Sequence, residues 1–78
     1  MTFKDFTKVM FDLLDLEEVE ITETSSLRDD LNIDSLQMVN LTTSLAEHYK
    51  IPFRVFIENG NKIDIVGELY TIVTEESL

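Results

Sequence analysis

Apolar residues return every three or four positions in this chain, and that spacing allows little but packed helices. Phe3, Phe6, Val9, Met10, Leu13 and Leu14 form one apolar face. Thr2 and Asp5 ahead of it resemble a capping box, with Asp replacing the usual Glu. The pattern predicts a helix that follows Thr2 and runs to about Leu14 or Leu16. Met38, Leu41, Leu45 and Tyr49 form a second stripe, flanked by Leu36, Val39 and Ala46. Gln37, Asn40, Ser44 and Glu47 fall on its opposite, polar side. This helix should start at Ser35 behind an Asp34 N-cap and end near Lys50, before Pro52. In a third stretch Asp64 is placed to cap a last helix, with Ile65, Leu69, Ile72 and Val73 inward. Gly67 lowers helix propensity there, which points to a close helix approach. A strand over Arg54–Ile57 would have no partner elsewhere in the chain, so a short helix from about Pro52 to Glu58 is expected, ending at the Asn59-Gly60 turn.

The expected fold is therefore all-α. It is a small four-helix bundle with three long helices, a short third one, and a long loop between the first two. With 78 residues, positions 1–78 make one domain. There is no cysteine, so neither disulfides nor thiolate metal sites can staple it. An apolar fraction of 44% suffices for a packed core.

Charge narrows the function. The net charge is −10, and Asp15, Glu17, Glu18, Glu20, Glu23, Asp29, Asp30 and Asp34 stand against one Arg28 in the predicted loop. Such a balance argues against nucleic acid and anionic membranes, which need clustered Lys and Arg. A basic surface on another protein is the electrostatic match. Val19, Ile21, Leu27 and Leu31 should pin this loop; long loops in small domains are often functional. No apolar run reaches membrane-span length, and MTFKDFTKVMF is too charged for a secretory signal. A cytoplasmic location is expected, which leaves the sequon at Asn40 without use.

Asp34-Ser35 before an apolar helix is the place where chemistry could sit. A nucleophilic serine needs a base in hydrogen-bond reach. The one histidine, His48, lies thirteen residues along the same helix, roughly 20 Å away. Lys50 is no nearer, and no Gly-x-Ser-x-Gly elbow exists. The domain is not expected to be an enzyme. Asp30, Asn32 and Asp34 imitate the start of a calcium loop, but Ser35 and Leu41 occupy the positions that need Gly and Glu. Two readings of Ser35 stay open at this point. It is an ordinary first-turn residue beside an Asp cap, or it is a modification point where the helix dipole favours an attached phosphate.

Asp34-Ser35-Leu36 after a long acidic loop resembles the acyl carrier proteins and related peptidyl carrier domains. Leu27, Asp30 and Leu31 resemble the lead-in of that family, LQMVNLTTSLAEHY its second helix, and Ile65 to Leu69 (IVGEL) the start of its last helix. The resemblance implies 4′-phosphopantetheine on Ser35, installed by a phosphopantetheinyl transferase from coenzyme A. It implies that Asp34 helps the transferase bind and supports magnesium-dependent transfer. It further implies partner docking through Leu36, Met38 and Val39, with Glu47 and Arg54 as polar docking residues. Partners would be acyl- or aminoacyl-loading enzymes and downstream synthases, met by a monomer. Three departures stand out. The polar side of the second helix is nearly neutral, where fatty-acid carriers are acidic. Asn32-Ile33 stands where a glycine usually precedes the motif. Ile51 to Ile63 is also longer than in those carriers and resembles the third-helix segment of peptidyl and polyketide carriers. The favoured expectation is a free-standing acyl carrier of a specialised pathway: polyketide, nonribosomal peptide or modified lipid. An aminoacyl, D-alanyl or peptidyl carrier is the alternative. An acidic helical adaptor without a prosthetic group is the second.

Overall fold

The first helix, α1 (Phe3–Leu14), begins where the Thr2 side chain accepts from the Asp5 backbone N–H at 3.1 Å. The Asp5 carboxylate accepts in return from the Thr2 N–H at 3.3 Å. Those bonds favour the ionised carboxylate, the backbone bond most, and hold Asp5 below its usual range. In this computed structural model, which describes residues 1–77, four further helices follow: α2 (Leu27–Asp30), α3 (Ser35–Tyr49), α4 (Arg54–Glu58) and α5 (Val66–Glu76). The three long helices are as expected from the apolar spacing, and the expected short one is present but starts at Arg54, not about Pro52. The single turn α2, inside the stretch read as loop, was not expected.

The long helices α1, α3 and α5 bury one face each. Phe6, Met10 and Phe11 of α1 meet Met38, Leu41 and Leu45 of α3 and Val66, Leu69 and Val73 of α5 in one core. Tyr70 closes the α1–α5 seam. Its ring sits edge-on to Phe3 at 5.4 Å and tilted against Phe6 at 5.7 Å, and its hydroxyl donates to the Met1 carbonyl. Tyr49 also packs against Phe6, with ring centroids 6.5 Å apart, and burial, then the Asp5 charge, raises its pKa. Short elements add Leu27, Ile33, Ile51, Val55 and Phe56. Among the described residues, every buried side-chain nitrogen or oxygen has a partner.

Residues 15–34 differ from the sequence reading in physically clear ways. Leu27 is fully buried and Ile21 and Leu31 half-buried, but Val19 is 52% exposed and pins nothing. The segment is held by backbone pairing to the start of α5. The Gly67 N–H donates to the Glu23 carbonyl (2.8 Å), the Val66 N–H to the Ser25 carbonyl (3.0 Å), and the Leu27 N–H to the Asp64 carbonyl (2.8 Å). Asp64 therefore does not cap α5. Ile65 stands at that cap without a side-chain bond, because loop carbonyls already accept from the first helical N–H groups. The Asp64 carboxylate instead accepts from Ser26 Oγ (2.8 Å) and the Arg28 N–H (2.9 Å), which fixes the start of α2.

Gly67 does mark a close approach, though to this loop and not to a helix. A Cβ there would lie 2.6 Å from the Glu23 carbonyl oxygen and 2.8 Å from the Glu23 Cβ. In an open helix, Gly→Ala would stabilise by about 1 kcal/mol. Here the sign should reverse: Gly67→Ala should cost about 1–3 kcal/mol in urea unfolding, because the loop must shift and its bonds to α5 must stretch.

Candidate functional site

Ser35 is the first residue of α3, and three features place it. Ile33, 3% exposed, is driven into the core and its N–H donates to the Leu27 carbonyl, so the chain enters α3 from a fixed anchor. Asn32 just before it has a positive φ of 56°, a left-handed conformation that Asn tolerates better than most residues. The backbone thus needs a glycine-like residue at this point, and Asn32 supplies it. Asp34 then caps the helix. Its Oδ1 accepts from the Gln37 N–H at 2.8 Å, and Gln37 Oε1 accepts from the Asp34 N–H at 3.1 Å. This is a second capping box, with Asp and Gln in the paired positions.

The result is an exposed hydroxyl at the positive end of a four-turn helix. Ser35 is exposed, and its Oγ makes no hydrogen bond to another described residue. His48 is exposed at the far end of α3, too far to act as its base. No three His, Cys, Asp or Glu side chains converge into a metal-holding group among the described residues.

Ser35 also lies on the rim of a cavity of about 530 Å³ between α3, α4 and the 59–64 connection. Met38, Val39, Phe53, Phe56, Ile57 and Ile63 give it apolar walls. Thr42 borders it too, but its hydroxyl donates back to the Met38 and Val39 carbonyls, so it offers the cavity no free donor. Arg28 and Asp64 bring the only charges to its rim.

The expected docking residues separate into three groups. Leu36 and Val39 are 69% and 54% exposed beside Ser35, an unusual display for apolar side chains on the longest helix. Met38 is 5% exposed and belongs to the core, so only its edge reaches the cavity and it is not a surface contact. Glu47 sits at the other end of α3, roughly 18 Å along the axis from Ser35. Arg54 lies exposed on α4 and faces Glu58 at 3.8 Å, which offsets its charge locally. The sequence reading missed the wall formed by Phe53 and Ile57. Their i,i+4 spacing on α4 was the available signal, and both remain exposed. Arg28 was seen only as a lone cation in an acidic run. Its place at the cavity follows from α2, which no periodicity announces.

A family model described as phosphopantetheine attachment site matches residues 5–69, most of the chain. No solved structure matches it.

The burial of Met38 against the exposure of its neighbours gives a direct check. Val39→Glu and Leu36→Glu should each change stability by no more than about 0.5 kcal/mol in urea titration. Met38→Glu should lose about 4 kcal/mol or more, enough to unfold most of the population of a marginally stable domain. Asp34→Ala should fall between them, at about 1 kcal/mol, from the lost cap.

Proposed function

Because the chain belongs to the family of phosphopantetheine-attachment domains, we propose that Ser35 is the serine that takes the arm and that the protein carries acyl intermediates in a specialised biosynthetic pathway. Domains of this family are carriers that receive 4′-phosphopantetheine covalently on a serine and have no catalysis of their own. Membership removes the reading of an acidic adaptor without a prosthetic group. It implies dealings with a phosphopantetheinyl transferase and with synthase enzymes.

The observation that supports Ser35 is its hydroxyl: exposed, unbonded, and fixed at the head of α3 by the Asp34–Gln37 box. Ser35 Oγ would attack the coenzyme A phosphorus that bears the pantetheine arm. The phosphoanhydride bond breaks, the nucleotide bisphosphate leaves, and the hydroxyl proton passes to a base of the transferase. Nothing is oxidised or reduced. Asp34 shapes the attachment point through its cap, and Leu36 and Val39 offer the visiting enzyme an apolar surface beside it. Once attached, the arm supplies a terminal thiol that holds cargo as a thioester.

The mainly apolar walls of the cavity beside Ser35, from Met38, Val39, Phe53, Phe56, Ile57 and Ile63, favour an acyl cargo over an aminoacyl one, and the one carboxylate there, Asp64, already accepts from Ser26 Oγ and the Arg28 N–H. The near-neutral outer face of α3, with Gln37 and Asn40 near its head, supports a partner set unlike that of the acidic fatty-acid carriers.

The test uses coenzyme A, magnesium and a broad-specificity transferase, followed by intact-mass measurement. The protein should gain the mass of one phosphopantetheine, and Ser35→Ala should gain none while unfolding at the same urea concentration to within about 0.5 kcal/mol. A gain that survives the substitution would move the attachment point elsewhere. Thioesters on protein purified from its own cells should carry acyl groups; amino acids there would favour the aminoacyl reading.

A further inference from the structure

The cavity rim holds one cation that the carrier reading leaves unused. Arg28 lies on α2 and lines the same cavity as Ser35. It is the only basic residue among those lining it. Its main chain is fixed, because its N–H donates to Asp64 Oδ1 at 2.9 Å. Its guanidinium makes no ion pair among the described residues, where the one ion pair is Arg54–Glu58. That is notable in a chain with 16 acidic and 6 basic residues, and with Asp29 and Asp30 next to it in sequence. Three of the nearby carboxylates are already engaged, and Asp29 makes no ion pair with Arg28. Asp64 accepts from Ser26 Oγ and the Arg28 N–H, Asp30 accepts from the Ser26 N–H at 2.6 Å, and Asp34 accepts from the Gln37 N–H.

A phosphodiester at Ser35 would bring a further negative charge into a molecule of net charge −10, beside Asp34 and at the cavity that Asp64 also lines. The head of α3 offsets part of that repulsion through its dipole. An arginine is the side chain best shaped to offset the rest, since its planar fork can give two parallel N–H bonds to phosphate oxygens. We propose that Arg28 is the cation that holds the phosphodiester on Ser35 and so sets the direction in which the arm leaves the helix, toward the cavity. The proposal rests on Ser35 being the attachment site. It assigns Arg28 a positioning role and leaves transfer chemistry to the partner enzyme.

The experiment compares unmodified and fully modified protein, with modification verified by intact mass, for the wild type, Arg28→Gln and Arg28→Lys. In the wild type the Arg28 Nε–H resonance should shift on modification. The melting temperature should differ little between the two forms. In Arg28→Gln the modified form should melt roughly 2–5 °C further below its unmodified form than in the wild type, Arg28→Lys should recover part of that, and added salt should shrink the difference. A merely structural Arg28 would lower both forms alike. Equal differences in wild type and Arg28→Gln, with an unmoved Nε–H signal in verified modified protein, would overturn the role of Arg28. Failure of the wild type to gain the mass would instead overturn the Ser35 reading, and this inference with it.

Discussion

The backbone pairing between residues 23–27 and 64–67 is the constraint on which the rest of the molecule depends. The chain has no disulfide, and its first connection is long and strongly acidic. Left to itself, such a segment would spread under its own charge. Carbonyls of Glu23 and Ser25 cap the bare start of α5, and the Asp64 carbonyl and carboxylate return bonds to Leu27, Ser26 and Arg28. One set of bonds therefore satisfies two helix starts at once. It also fixes α2, and through Leu27 and Ile33 the point at which α3 begins. The placement of Ser35 in space is inherited from contacts that span almost forty residues of sequence.

Those contacts mark the limit of what the sequence makes legible. The helices were readable because Phe6, Met10, Leu41, Leu45, Leu69 and Val73 recur with the helical period and bury accordingly. The α1 and α3 caps were readable because Thr2 and Asp34 act on their immediate neighbours. Asp64 was misread for the converse reason. It sits where a local cap belongs, yet its partners are Ser26 and Arg28, and no local rule names them. Val19 and Ile21 look alike in the loop, and only the three-dimensional path decides that one is exposed and the other packed. Phe11 escaped the sequence stripe of α1 but is 2% exposed, because the core wraps further round α1 than one stripe.

The site was partly legible on the same terms. Ser35 and Asp34 could be picked out because a cap and a first-turn hydroxyl are local features. Periodicity already set Met38 in the apolar stripe and Val39 on its flank; the resemblance placed both on the docking surface, and burial returns Met38 to the core. The cavity is a property of α3, α4 and the 59–64 connection together, and no single stretch of sequence contains it. The departure at Asn32 turns out to be mild, as the backbone there asks only for a residue at ease with positive φ.

The walls of that cavity are unequally held. On one side stands α3, fifteen residues long with a capping box at its head. On the other stands α4, five residues with no side-chain cap, tied to the core chiefly by Val55 and Phe56. The free energy of opening falls with fewer buried contacts, so the two sides do not breathe equally. Whatever enters from the Ser35 end meets one stiff plank and one loose shutter. Any give in the groove thus falls to its α4 side, while the head of α3 stays still.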